Sequence, residues 1–229
     1  HDTASAVLAV PSSDDDFIYI SSGTWSLMGI ERKEADCSKH SREYNFTNEG
    51  GYEHRYRYLK NIMGLWMIQN VKRELVKYSY NDLCRMAESS SFGSRVDVDN
   101  ECFLAPDSMV KAVKEYCCRT GQKVPESDED ISACIYHSLA ESYARTAKQI
   151  EDITGRRYSR IHIVGGGSND SYLNSITAKY TGKDVYAGPK EATAIGNLMV
   201  QMLHCGEFKS VEQARKSVYD SFGVVKFEK

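Results

Sequence analysis

The feature that most constrains the fold of this chain is a short apolar run that ends in three consecutive glycines. Residues 161–164 are Ile-His-Ile-Val, and such a mostly β-branched run predicts a short buried strand. Gly165, Gly166 and Gly167 then leave the backbone without side chains, and residues 168–170 (Ser-Asn-Asp) are all suited to cap a helix. We therefore expect a strand, a bare turn and the start of a helix.

The segment after the glycines supports the helix, because Leu173, Ile176 and Tyr180 recur at three- and four-residue intervals. A bare turn before a helix N-terminus lets a phosphate approach the backbone and meet free N–H groups. The alternative is a tight turn that binds nothing. No Gly-Lys-Ser/Thr follows, so this is not a Walker loop. The GxGxxG spacing and the ribose-binding acid of a dinucleotide-binding oxidoreductase are also absent.

Composition narrows the classes of protein. The 229 residues allow one large domain or two small ones, and 41% hydrophobic with 27% charged residues is typical of a soluble globular protein. A net charge of −3 offers no basic field for nucleic acid. No apolar run approaches the ~20 residues that span a membrane. The seven cysteines show no zinc-type spacing, so we expect reduced thiols and a cytoplasmic protein.

A second candidate for phosphate binding lies near the start of the chain. Residues 17–20 and 25–30 predict two strands of a hairpin, joined by the small polar cluster 21–24. The tip of this hairpin, with Gly23 and Thr24, would expose backbone N–H groups and a hydroxyl, which suit phosphate oxygens. A plain surface hairpin is the alternative.

The third candidate is a helix. Apolar residues at helical spacing predict one long helix from about Arg55 to Tyr78. Asn61 and Gln69 lie off its apolar stripe, where each faces either a ligand or water.

The order of the predicted elements indicates the fold class. Strands come first, helices follow, and the last third alternates strand and helix. That order predicts an α/β domain with a mixed β-sheet flanked by helices. It is the order of an actin-like ATPase (ribonuclease H-like) domain. In that fold the hairpin tip, the glycine turn and the helix with Asn61 and Gln69 would converge on one cleft.

Several segments also resemble the FGGY carbohydrate kinases, in order from residue 1 to about residue 203. The matching segments are His-Asp-Thr-Ala-Ser-Ala-Val at 1–7, Ser-Ser-Gly-Thr-Trp-Ser-Leu-Met-Gly at 21–29, Asn-Glu-Gly-Gly at 48–51, Arg-Tyr-Arg-Tyr-Leu-Lys-Asn-Ile-Met-Gly-Leu-Trp at 55–66, Val-Gly-Gly-Gly at 164–167 and Ala-Gly-Pro-Lys-Glu-Ala-Thr at 187–193. The resemblance implies that residues 1–229 are the C-terminal, ATP-binding domain. Because the chain starts at His1 without a methionine, we expect it to be a fragment whose N-terminal, sugar-binding domain is absent.

The resemblance also implies an activity. It implies that ATP, with Mg²⁺, phosphorylates the 1-hydroxyl of L-rhamnulose, or alternatively another deoxyketose such as L-fuculose. Asp2 matches the catalytic general base, which takes the proton of the attacking hydroxyl. Thr24 matches a contact to the ATP phosphates, Asn61 and Gln69 match nucleotide contacts, and the glycines ending at Gly167 match the adenine-nucleotide loop.

Two further expectations follow from the resemblance. Residues 168–170 depart from the Cys-Gln-Asn expected there, so the helix cap differs although the bare backbone remains. Because half of the cleft would lie on the absent domain, we expect no kinase activity and at best weak ATP binding from residues 1–229 alone. A non-catalytic nucleotide-binding module of the same fold is the alternative function, and the presence of Asp2 argues against it.

Overall fold

A seven-stranded mixed sheet organises the chain, and the computed structural model describes it for residues 2–229. The strands run in the order β3-β4-β2-β1-β5-β6-β7, in which β1, β5 and β6 are parallel and all other neighbours are antiparallel. The predicted mixed α/β sheet is confirmed. The strands are β1 (Phe17–Ser22), β2 (Ser26–Arg32), β3 (Thr47–Gly50), β4 (Tyr56–Ile62), β5 (Arg160–Val164), β6 (Asp184–Ala187) and β7 (Val225–Phe227).

Helices cover both faces of the sheet. Helices α3 to α7 pack on one face, here called the first layer, and α1, α8 and α9 pack on the other, the second layer. The helices are α1 (Asp2–Leu8), α2 (Lys39–Glu43), α3 (Trp66–Glu74), α4 (Tyr80–Ser89), α5 (Met109–Arg119), α6 (Asp128–Thr154), α7 (Ser171–Thr181), α8 (Ala192–His204) and α9 (Val211–Ser221).

Strand β5 shows how the sequence pattern builds these two layers. Successive side chains of a strand point to opposite faces. Ile161 and Ile163 accordingly belong to the core under the first layer, whereas Val164 belongs to the core under the second. Burial on both faces explains why the run reads as continuously apolar. The predicted strand is confirmed.

The sequence also predicts a long helix that starts at the cap-like residues 127–130 and ends at Gly155, and helix α6 confirms it. Ser127 caps its start by accepting a hydrogen bond from the Asp130 N–H, and Gly155 ends it in the left-handed conformation at φ 63°. A glycine carries no Cβ penalty there, which is why helices so often end on one.

The predicted helix from Arg55 to Tyr78 is wrong. Its first half is strand β4, which lies between β2 and β3, and its second half is α3. Arg57, Tyr58 and Leu59 are all buried because both faces of β4 are covered, so the strand lacks the usual alternation of polar and apolar residues. Between β4 and α3, Gly64 packs directly against the start of β2, since a Cβ there would stand 2.7 Å from the Ser26 nitrogen.

Other boundaries also differ from the expectation. The sequence also predicts a strand at 44–47, but the structure starts that strand later, as β3, after the short helix α2. Strand β7 was not predicted. All seven cysteines are free thiols. Among residues 2–229, no helix combines the length and the apolar character needed to cross a membrane.

A histidine inside an apolar strand favours a packed or edge residue over a catalyst, and His162 is buried in the middle of β5. Its ring stacks on Tyr186 with centroids 5.1 Å apart and meets the edge of Phe17 at 5.4 Å. Neither ring nitrogen has a hydrogen-bond partner within residues 2–229. Burial, together with the positive charges of Arg160 and Arg215, lowers the pKa of His162 to about 3.

We expect His162 to make the fold sensitive to acid. The unfolded chain takes up the proton near pH 6.5, whereas the folded chain resists protonation down to about pH 3. The contribution of His162 to the free energy of unfolding is therefore fully present above pH 6.5. Between pH 6.5 and about pH 3 it falls by up to about 1.4 kcal/mol for each unit by which the pH decreases. Urea unfolding at pH 7 and pH 5 measures the loss. His162→Phe should lose markedly less stability than the wild type, and the exposed His204→Gln variant should match the wild type. Equal losses in His162→Phe and the wild type would contradict this assignment.

Candidate functional site

A cavity of about 880 Å³ opens between α3, α4 and α7. Gly23 from the hairpin tip, Gln69 from α3, and Gly166 and Gly167 from the glycine turn all line it. The hairpin tip follows β1 and the glycine turn follows the parallel strand β5, so both lie at the carboxyl edge of the sheet, where open α/β sheets bind ligands. The volume is in the range of small-molecule and cofactor sites. The two segments share one groove.

The surroundings of the three glycines differ in whether they leave room for a side chain. Gly165 has a φ of 88°, and a Cβ there would stand 2.8 Å from the Ser22 carbonyl oxygen. A Cβ on Gly167 would overlap the Ser22 hydroxyl. Gly166 is different, because a Cβ there would meet nothing within 4 Å. Packing within the chain therefore explains Gly165 and Gly167. At Gly166 the absence of a side chain only leaves space in the cavity.

We expected the N-terminus of the following helix to be open to a ligand, but in the structure it is not. A single 3₁₀ turn (Gly166–Asn169) separates the glycines from α7, and the Asp170 carboxylate caps the helix by accepting from the Leu173 N–H at 2.9 Å. The donors that remain are in the turn itself. The N–H groups of Gly166 and Gly167 have no acceptor within residues 2–229. A phosphate at this edge would therefore meet the turn, not the helix.

The structure brings two of the predicted site residues into contact. The Thr24 hydroxyl donates to the Gln69 side-chain oxygen at 3.2 Å, and the Trp66 N–H donates to the Thr24 carbonyl at 3.0 Å, so the start of α3 is docked on the hairpin tip. The Gly23 N–H donates to the Trp25 carbonyl at 2.9 Å and is not an available donor. The tip thus offers fewer free N–H groups than the sequence predicted.

Asn61 is not on the helix predicted for it, and it does not line the cavity. It lies on β4 opposite Leu27 of β2, with the parity of Leu59, whose side chain packs under the second layer. Asn61 therefore faces the side of the sheet away from the cavity. Asn61 was assigned to a helix because a strand buried on both faces lacks the alternation of polar and apolar residues that identifies a strand.

Asp2 also lies outside the cavity lining. It is exposed in the first turn of α1, and its carbonyl oxygen accepts from the Thr193 hydroxyl at 3.3 Å. Thr193 lies in the first turn of α8, which follows the carboxyl end of β6. Asp2 therefore lies at the same edge of the sheet as the glycine turn, on the second-layer side.

A buried polar cluster fixes the walls of the cavity. The Tyr136 hydroxyl of α6 donates to Asp170 at 2.9 Å and lies 3.1 Å from the Cys84 sulfur of α4. Burial raises the pKa of Asp170. Burial and the Asp170 charge raise the pKa of Cys84 to about 12, so the thiol is not an activated nucleophile. The cluster instead ties α4, α6 and α7 together.

Sequence reasoning missed most of the cavity wall. Asn81, Arg85 and Glu88 line it from α4 at spacings of four and three residues, which places them on one helical face. Ser171, Ser175 and Lys179 line it from α7 in the same way. Neither polar face can be assigned to the cavity until the orientation of its helix is known. These polar stripes were the available signal. On their own they are indistinguishable from solvated helix faces.

Comparison with known proteins gives the family to which the chain belongs. The model of the FGGY family of carbohydrate kinases, C-terminal domain, matches residues 18–205. The chain therefore belongs to the FGGY family of carbohydrate kinases and contains their C-terminal domain.

Within that family the chain is similar to proteins named rhamnulokinase. It is 49% identical over 228 residues to the one from Halalkalibacterium halodurans and 44% identical over 229 residues to the one from Bacillus subtilis. Each alignment covers 99% of this chain, but only 49% and 47% of the two relatives. The chain thus spans about half the length of the curated relatives it matches.

Solved structures confirm the actin-like ATPase fold. The ligand-bound xylulose kinase of Lactobacillus acidophilus superposes with a TM-score of 0.70 at 8% identity, over 98% of this chain and 45% of that one. The Plasmodium falciparum glycerol kinase with ADP gives a TM-score of 0.70 at 12% identity, over 97% and 45%. At such identities the likeness concerns the fold alone.

Proposed function

We propose that this chain is the nucleotide-binding part of an ATP-dependent kinase that phosphorylates L-rhamnulose on its 1-hydroxyl. Membership of a carbohydrate kinase family and relatives 39–49% identical that are named rhamnulokinase support this assignment. A further domain would supply most of the sugar contacts. L-Fuculose is the alternative substrate, because the chemistry on this chain would be the same.

The observation that carries the proposal is the cavity beside Gly166. Its open floor and the unpartnered N–H groups of the glycine turn suit phosphate oxygens. The Thr24–Gln69 pair at the hairpin tip adds polar groups at the same edge. Tyr80 on α4 and Tyr172 on α7 also line the cavity and would offer aromatic walls to a base. We infer that ATP lies with its phosphates at the turn and its base between these helices.

In the proposed reaction, Asp2 is the general base. Its carboxylate takes the proton of the sugar 1-hydroxyl while that oxygen attacks the γ-phosphorus, the bond to the β-phosphate oxygen breaks, and ADP leaves. Residues 2–229 contain no cluster of His, Cys, Asp or Glu suited to a metal ion. Mg²⁺ usually binds through substrate phosphates with one or two carboxylates. We propose that the ATP phosphates carry it into the site.

Gly166→Ala tests the nucleotide site. No atom of the chain lies where the new methyl would stand, so we expect stability to change by less than about 0.5 kcal/mol. The methyl would occupy space needed by the phosphates and displace them. We therefore expect ATP affinity to fall by about tenfold or more in a protein that contains both halves of the kinase, measured by calorimetry.

The matched control is Gly93→Ala, an exposed loop glycine with equally open surroundings that lies away from the cavity. It should leave both stability and ATP affinity unchanged. If Gly166→Ala binds ATP as tightly as the wild type, the phosphates do not lie on the glycine turn and the proposed site is wrong.

Turnover separates the candidate functions. In the two-domain protein we expect a higher kcat/KM for L-rhamnulose than for L-fuculose, and residues 1–229 alone should phosphorylate neither. The reverse preference would favour the fuculose alternative. ATP binding with no phosphorylation of any ketose would favour a non-catalytic module. Turnover by residues 1–229 alone would show that no second domain is needed.

A further inference from the structure

A second cavity, of about 320 Å³, lies in the second layer between the segment after α1, strands β5 and β6, and helix α9. It shares no lining residue with the cavity beside the glycine turn. Three cationic side chains line it, Arg160, Arg215 and Lys216, and none of its lining residues is acidic. Such a set is unusual in a space this small, because like charges repel unless an anion is present.

Arg215 is buried and held rigidly. Its Nε donates to the Leu8 carbonyl at 3.0 Å, and its Nη2 donates to Glu31 at 2.5 Å and to the Val7 carbonyl at 3.2 Å. The guanidinium also lies 5.7 Å from the centroid of the Phe17 ring. Its Nη1 donates to no acceptor within residues 2–229 and is not among the fully buried, unpartnered atoms. The contacts therefore fix the guanidinium and leave one edge of it free.

Arg160 repeats this arrangement from β5. Its Nε donates to the Asp16 carbonyl at 3.3 Å, and its Nη2 pairs with the Asp14 carboxylate. Its Nη1 also lacks an acceptor in the part of the chain that the structure describes. The two carboxylates, Asp14 and Glu31, neutralise the arginines from outside the cavity lining. The cavity thus has two guanidinium edges without a protein partner.

His162 adds a buried, unpaired polar side chain to the lining of the same cavity. It lines the same cavity while only 2% exposed, and neither of its ring nitrogens is paired. After burial, Arg160 and Arg215 are the largest causes that lower its pKa. The two guanidinium groups therefore act on the His162 ring in the same direction as its burial.

We propose that this cavity is a binding site for a phosphate group, carried by a small phosphate monoester or as the free ion. The free Nη1 edges of Arg160 and Arg215 would donate to its oxygens, and Lys216 would add charge at the mouth of the cavity. Guanidinium groups held in place suit phosphate because their charged N–H donors make short, strong hydrogen bonds to its oxygens. The site does not depend on the proposed kinase activity.

Inorganic phosphate is the first probe, and glycerol phosphate is the second. We expect saturable binding to the 229-residue chain by calorimetry, with a dissociation constant of about 1 mM or below. The His162 ring signals in NMR spectra should shift with the same dependence on phosphate concentration. Tighter binding of glycerol phosphate would identify a monoester, and equal or weaker binding would identify the free ion.

Matched variants locate the site. Arg160→Gln should weaken binding about tenfold or more, and Lys216→Gln should weaken it less, because Lys216 is exposed and paired with Asp220. Arg156→Gln and Lys111→Gln are the controls, since both residues are also exposed and paired with acids but do not line the cavity. Their affinities should equal that of the wild type. Circular dichroism checks that each variant is folded, and Arg160→Lys replaces Arg160→Gln if the latter is not.

Three results would overturn the proposal. The first is the absence of saturation up to about 20 mM phosphate, a concentration at which a site of useful affinity is filled. The second is an equal loss of affinity in Arg160→Gln and Arg156→Gln, which indicates general charge screening. The third is saturable binding that leaves the His162 signals unchanged, which places the phosphate elsewhere.

Discussion

Asp2→Asn, made in a protein that contains both halves of the kinase, is expected to lower kcat by about 10²–10⁴-fold. The amide has nearly the shape of the carboxylate but cannot accept the proton of the attacking hydroxyl. Asp2 lies outside the cavity lining, so ATP affinity should stay unchanged. Steady-state kinetics and ATP calorimetry on the same samples measure the two effects separately.

The control for this experiment is Asp152→Asn, which changes an exposed carboxylate of α6. Its turnover should equal that of the wild type. If Asp2→Asn retains turnover within about twofold, general base catalysis by Asp2 is wrong, because general bases contribute far more than that. A parallel loss of ATP affinity would instead place Asp2 in the nucleotide site.

Gly196→Ala should lower the melting temperature by about 4–8 °C, for a net loss near 2 kcal/mol. Gly196 lies on α8 directly against α1, and a Cβ there would overlap the Ser5 carbonyl oxygen. The overlapped atom belongs to the backbone, so a change of side-chain rotamer cannot relieve the clash. The two helices must move apart.

The sign of the change makes this experiment decisive. Alanine is a better helix former than glycine by about 1 kcal/mol, so a purely local effect would raise the melting temperature. A measured increase would therefore mean that α1 and α8 are not in close contact. Gly93→Ala should leave the melting temperature nearly unchanged. Since α1 carries Asp2, Gly196→Ala in the two-domain protein should also lower kcat more than it lowers ATP affinity.

Local chemistry accounts for the parts of the fold that the sequence predicted well. The strand at 161–164, the glycine turn and α6 each carry their own signals: a β-branched run, bare backbone, a serine cap and a terminal glycine. The hairpin tip is equally local. These signals act within a few residues, so no knowledge of distant partners was needed.

The failures come from interactions between distant parts of the chain. Strand β4 was taken for a helix because neighbouring strands and both helix layers bury it, and burial on every side removes the period that identifies a strand. Asp170 was one of three candidate caps, and its bond to Tyr136 depends on a contact across 34 residues. The second cavity combines residues from opposite ends of the chain, such as Pro11 and Arg215.

The glycine turn packs directly against Ser22, and this contact limits which residues can occupy the turn. Gly165 approaches the carbonyl oxygen of Ser22, and Gly167 approaches its hydroxyl. The side chains of positions 22 and 167 therefore compete for one small volume, so a larger residue at 167 requires a smaller one at 22, whereas a side chain at 165 would meet the Ser22 backbone whatever residue stands at 22. Among related kinases, we expect the sizes of residues 22 and 167 to change together, position 165 to stay glycine, and the size of residue 166 to depend only on the ligand.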